Sequence, residues 1–244
     1  MRAATVRRLS WGLGISTVTA LAAFGVASWQ ANAAPPSPGG PGVAAEQPRV
    51  SDPSPAPEQA TGTGSDALTT DEVGRARAVA LAPLTGGTED VTGAAGPEYL
   101  SAELVTDGAQ RRADVYYYDY RAEKLIKQVV DLGTGKVTGS YAAAGMQPPA
   151  ADREVGTALD LVLASPHAAE LRDGYARATG RTYSGKDDIV VTAHVYKARP
   201  ADTAVRNCGK HRCLQLIVQA ADGPFIDLNQ IIIDLSGRTV ARLK

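Results

Sequence analysis

Few side chains in this 244-residue chain have a type and spacing suited to chemistry. Its two cysteines, Cys208 and Cys213, frame the stretch Asn-Cys-Gly-Lys-His-Arg-Cys, with His211 between them. As a metal site that loop supplies at most three ligands, whereas a closed structural zinc site takes four. Neighbouring cysteines in an exported chain pair with each other, so a Cys208–Cys213 disulfide is expected. The other histidines, His167 and His194, are spread along the sequence. Gly133-Thr134-Gly135-Lys136 has the look of a phosphate loop. A P-loop, however, needs Gly where Val130 stands and Ser or Thr where Val137 stands. No G-x-S-x-G, H-E-x-x-H or C-x-x-C is present. Asp187-Asp188 reads as a solvated turn before a strand. Arg206, Lys210, His211 and Arg212 read as a solvated basic loop, with docking of an acidic partner as the alternative. No catalytic, cofactor-binding or metal-ligating residue is assigned, and no cofactor is expected.

Val115-Tyr116-Tyr117-Tyr118-Asp119-Tyr120 is the most unusual run in the chain. On a strand, Tyr116, Tyr118 and Tyr120 share one face, and Val115 and Tyr117 share the other. The three tyrosines are the candidate interaction surface, an aromatic platform for a ligand or a protein partner. The competing reading places the rings half-buried under a helix with their hydroxyls at the rim, as amphipathic rings commonly sit.

The elements that must carry these residues follow a processing signal. Residues 1–10 hold Arg2, Arg7 and Arg8 and no acid, 11–27 are apolar and small, and Ala31-Asn32-Ala33 fits a signal-peptidase site. A signal peptide over 1–33 is expected, with a secreted or extracytoplasmic product and no membrane segment after cleavage. Arg7-Arg8 leaves the twin-arginine route open beside the general one. Cleavage removes three arginines and takes the net charge from −1 to −4. With 25 basic against 26 acidic residues overall, the charge gives no case for nucleic-acid binding. From 34 to 66 the chain is rich in Pro, Gly, Ser and Ala, with eight of the 15 prolines between Pro35 and Pro57. That composition reads as a disordered linker.

Beyond it, the chain states one plan twice. Thr69 with Glu72 three residues later forms a capping-box pattern, followed by Val73, Ala76, Val79 and Ala80 at helical spacing. Alternating segments at 99–105, 113–120, 124–132 and 136–141 then predict an antiparallel meander. Glu72-Val73-Gly74-x-Ala76 is matched by Glu154-Val155-Gly156-x-Ala158, and Val130-Asp131-Leu132 by Ile233-Asp234-Leu235. The first pair is shifted by 82 residues and the second by 103, so the second copy needs an insertion. Residues 165–180 supply it as an extra helix, with Ser165 as N-cap, Pro166 as first helical residue and Gly180 as stop. Strands are expected at 188–198, 213–220, 225–235 and 238–243. The fold class is α+β, with a first unit over 67–145 and a second over 150–244. Each is a helix on a curved antiparallel sheet of about four strands. Gly74 and Gly156 are expected to let their helices approach the sheets closely.

Leu68-Thr69-Thr70-Asp71-Glu72-Val73 with Ala76, and Val129-Val130-Asp131-Leu132-Gly133-Thr134-Gly135-Lys136-Val137, resemble the cystatin-like domain pair at the N-terminus of copper amine oxidases. The resemblance covers about 67–244 and implies two cystatin-like units in tandem. It does not extend to the family's chemistry. The quinone of that family arises from a Tyr that follows Asn, and Asn32, Asn207 and Asn229 each precede another residue. Its copper takes three histidines, two as His-x-His, a spacing that His167, His194 and His211 lack. A secreted, non-catalytic interaction or binding module is therefore expected, with an exported protein or small ligand as partner. The alternatives are a detached accessory or regulatory subunit of a copper amine oxidase, or a small exported enzyme with scattered residues. Cystatin-like protease inhibition is excluded, since the Gln-x-Val-x-Gly loop fails at Gln128-Val129-Val130-Asp131-Leu132.

Overall fold

A helix laid on an antiparallel sheet occurs twice in the computed structural model, which describes residues 59–244 except 85, 108, 109, 222 and 244. These residues belong to one compact unit, Pro55–Lys244. The signal peptide expected over 1–33, and the linker up to 58, lie outside the described residues. Helix α1 (Thr70–Leu81) opens on the capping box. The Thr69 hydroxyl accepts from the Glu72 amide at 3.1 Å, and the Thr69 amide donates to Glu72 Oε2 at 3.0 Å. Two of the helix's four unpaired donors are thus served by local residues. The strands β1 (Glu98–Asp107), β2 (Gln110–Asp119), β3 (Lys124–Asp131) and β4 (Lys136–Ala144) pair antiparallel in chain order. Ala76 and Ala80 bring α1 down onto Ala113, Val115, Tyr117, Ile126 and Val130. At the β3–β4 turn Gly135 takes a φ of +62°, a conformation that costs glycine little.

The second copy runs α2 (Asp152–Ala164), α3 (Ala168–Thr179), β5 (Ile189–Val195), β6 (Cys213–Ala220), β7 (Phe225–Ile226), β8 (Ile231–Asp234) and β9 (Thr239–Arg242). Its sheet has the order β5-β6-β8-β9, with β7 also paired to β6. Leu214, Leu216, Val218, Ile231 and Ile233 pack on Ala158, Leu159 and Val162 of α2 and Leu171 of α3. The pairing at the strand turn recurs: Arg112 and Ala113 face Asp131 and Val130 as Cys213 and Leu214 face Asp234 and Ile233. Leu132 donates its amide to the Arg111 carbonyl at 3.1 Å, and Leu235 does the same to Arg212 at 3.0 Å. The fold is α+β, two helix-on-sheet units in tandem.

Three local expectations need correction. Ser165 and Pro166 do not open α3, which begins at Ala168. Ser165 instead ends α2, with φ −91° and ψ 166°. Proline disfavours the helical region for the residue before it, so Pro166 holds Ser165 extended and breaks the helix there. The expected strand at 225–235 is split into β7 and β8. Between them Asp227 accepts from the Asn229 amide at 3.0 Å, forming a side-chain-closed turn that interrupts the ladder. Gly74 and Gly156 do not admit a sheet, since a Cβ at either would meet no atom within 4 Å. Ala76, Ala80 and Ala158 provide the close approach instead. A helical glycine with room beside it costs only chain entropy. Gly74→Ala and Gly156→Ala are each expected to raise stability by about 0.5–1 kcal/mol, read as a higher urea midpoint at unchanged slope. A fall in the midpoint would restore the close-packing explanation.

Candidate functional site

The polar groups that this fold gathers lie at the helix starts and along the seam between the copies. In the first copy Glu72, the third residue of α1, faces Arg111 from the start of β2. Arg111 Nε donates to Glu72 Oε1 at 2.9 Å and its Nη2 to Oε2 at 2.8 Å. The remaining Arg111 hydrogens go to the carbonyls of Gly64, Asp66 and Ala67 at 2.8–3.0 Å. Gly64 and Asp66, within the stretch up to 66 assigned by composition to the linker, are therefore tied to β2, and Ala60 accepts from Arg75 at 3.1 Å. The paired guanidinium holds the Glu72 carboxyl down at about 2.

Glu154 and Arg212 repeat this arrangement in the second copy. Arg212 Nε donates to Glu154 Oε1 at 2.5 Å and Nη2 to Oε2 at 2.7 Å. Its other hydrogens reach the carbonyls of Pro148 and Pro149 at 3.0 Å each. Pro148 and Pro149 stand 82 residues after Asp66 and Ala67, so the whole constellation is copied along with the helix. Both side chains here are fully buried, whereas the Arg111 side chain is 13% exposed. Ala151 has no side chain able to cap α2, and only its amide bonds back, to Glu154 at 2.8 Å.

The tyrosine run feeds into this centre. Tyr120 donates to Glu154 Oε1 at 2.6 Å, and Arg212 lies 5.1 Å from the ring centre of Tyr118. Tyr118 donates to Glu123 at 3.0 Å, as does Ser236 from the second copy. Burial drives the Tyr118 and Tyr120 hydroxyls well above the usual phenol range, and burial also raises Glu123. The three tyrosines do share a face, as the alternation requires. Tyr118 and Tyr120, however, are 0% and 8% exposed and pack into the core of the second copy. As a free platform the set reduces to Tyr116; the other two form the internal seam.

Tyr116 lines a groove of about 420 Å³ with Leu100, Glu103, Leu125, Met146 and Pro148. Its walls are mainly apolar, with polar side chains at Ser101, Glu103 and Tyr116. Met146, 54% exposed, forms a flexible lip. The volume lies in the range of small-ligand sites. Cys208 and Cys213 are bonded, as expected, and pack on Tyr196, Val205 and Ile232. The basic loop is not uniformly solvated. Arg212 is buried, and His211 Nδ1 lies 2.8 Å from Asp234 Oδ2. His167 pairs with Glu170 and His194 with Gln215. Among the described residues no three or more His, Cys, Asp or Glu side chains converge as a metal site. Of the pair expected in a solvated turn, Asp187 is exposed and Asp188 is half-buried, accepting from the Ser184 and Gly185 amides. Among the described residues no helix is long and apolar enough to cross a membrane.

Sequence reasoning missed both Glu–Arg pairs. The available signal was an arginine at each strand start, Arg111 opening β2 and Arg212 immediately before β6, a shift of 101 residues close to the 103-residue match. Compared by sequence, the chain matches no family model and no curated protein. Among solved structures it is similar to a copper-containing benzylamine oxidase from Hansenula polymorpha, at 11% identity and a TM-score of 0.44. That match covers 74% of this chain and 29% of the other, a weak structural resemblance.

Proposed function

We propose that this chain is an exported, non-catalytic binding module whose groove at Tyr116 takes an apolar segment of an exported partner. The groove itself carries the reading: it is open, mainly apolar, and edged by the seam that holds the two copies together. The acids and bases gathered nearby support it, because Glu154, Arg212, Tyr120 and Glu123 are already bonded to one another or to Tyr118 and Ser236. Glu154 accepts on both oxygens, from Arg212, Tyr120 and the Ala151 amide, which commits its carboxylate to the interior of the fold. Export is supported by the signal pattern over 1–33 and by the Cys208–Cys213 bond, which persists in oxidising compartments. The units over 67–145 and 150–244 then act as one body presenting the groove.

A photo-reactive residue in place of Met146 tests this. Incubated with the exported proteins of its source and irradiated, the full chain is expected to give one discrete adduct. Tyr116→Ala in the same chain is expected to remove it, and a photo-reactive residue at exposed Lys136 to give none. Equal labelling from both positions would overturn the groove. Peroxide release from primary amines by homogeneous protein would overturn the non-catalytic reading, and an amine oxidase as the adduct would favour the accessory-subunit alternative.

A further inference from the structure

The 17-residue connection between β5 and β6 carries five cations and one acid, Asp202. Arg212 is spent inside on Glu154. The Asp202 carboxylate, bonded to the Tyr196 hydroxyl at 2.5 Å and the Arg199 amide at 2.7 Å, stays ionised in the field of Arg199 and offsets one positive charge of the loop. That leaves Lys197, Arg199, Arg206 and Lys210, all exposed. The disulfide and two backbone bonds hold them together. Tyr196 donates to the Cys213 carbonyl at 2.8 Å and Ala198 to that of Cys208 at 3.0 Å. The stem of Lys197 lies against Gly209, where a Cβ would sit 3.7 Å from its Cγ, next to Lys210. The loop is thus a stapled cationic tip on a chain whose mature charge is negative.

We propose that this tip is an interaction surface for an extended acidic peptide, a run of Asp and Glu in a partner protein. Burial alternates along it: Tyr196 is buried and Ala198 half-buried, while Lys197 and Arg199 point outward. Alternate residues of an extended chain stand about 6.8 Å apart. Lys197 and Arg199 therefore match the spacing of carboxylates on alternate residues of an extended partner. Arg199 and Arg206 add planar donors that fit a carboxylate fork. The loop shows no exposed large apolar or aromatic side chain. It has neither a wedge for a bilayer nor a stacking surface for bases, which separates an acidic peptide from other anions. The surface is independent of the Tyr116 groove, and its failure leaves that reading standing.

The test uses fluorescently labelled polyglutamate, with dextran sulfate and phosphatidylglycerol vesicles as competing probes. Polyglutamate is expected to bind, and to weaken steeply with salt because the charges are exposed. Replacing Lys197, Arg199, Arg206 and Lys210 by Gln is expected to lower affinity about tenfold or more, against no more than about twofold for the same change at exposed Arg121, Lys124, Lys136 and Arg172. Equal loss in the two sets would mean a net-charge effect and overturn the proposal. So would absence of polyglutamate binding, or tighter binding to the sulfated polymer or the vesicles.

Discussion

Glu154→Leu is expected to cost about 3–5 kcal/mol of stability, because it breaks a fully buried ion pair. Arg212 is fully buried, so removing the carboxylate strands a guanidinium among neutral partners, the Pro148 and Pro149 carbonyls, the Gln147 side chain and the Tyr118 ring. The Tyr120 hydroxyl and the Ala151 amide lose their acceptor in the same step. Arg212→Met strands the charge on the other side and should cost a similar amount. The double replacement Glu154→Leu/Arg212→Met is expected to be more stable than either single variant, because no unpaired charge remains. Urea unfolding of the four proteins measures the cycle. Strict additivity, or single losses below about 1 kcal/mol, would mean that the pair is not coupled as its geometry requires. The corresponding Glu72→Leu should be milder, since Arg111 retains some contact with water.

Cys208→Ala/Cys213→Ala is expected to lose roughly 2–3 kcal/mol. The cysteines stand only five residues apart, so loop-closure entropy contributes roughly 2 kcal/mol. The rest comes from packing: Cys213 is 0% and Cys208 6% exposed, so truncating both sulfurs leaves a small void beside Tyr196 and Ile232. Arg212 adjoins Cys213, and a looser loop should also weaken its grip on Glu154. The disulfide variant and Arg212→Met are therefore expected to be less than additive. Thermal and urea unfolding measure the loss, and a non-reduced digest should show the linked peptide. A variant as stable as the parent, or thiols that alkylate without reduction, would sink the claim.

Signals a few residues long were legible in advance because their physics is local. The Thr69–Glu72 box closes within one helical turn, the cysteines are near neighbours, and alternation along 113–120 dictates which tyrosines share a face. The repeat was visible for a related reason, since each copy must restate the same helix start and strand turn. What escaped lay between distant elements. Arg212 is 58 residues from Glu154 and Arg111 is 39 from Glu72, and nothing in a basic loop or a strand start announces which arginine turns inward. Alternation put Tyr116, Tyr118 and Tyr120 on one face but left open what covers it. Packing of the second copy decided that, sealing Tyr118 and Tyr120 and leaving Tyr116 at a groove. The sequence alone therefore determined the fold class, the repeat and the disulfide, because caps, alternation and cysteine spacing act over a few residues. Only the tertiary structure decided which charges are buried and where a surface remains open, because both depend on which distant segments exclude water from one another.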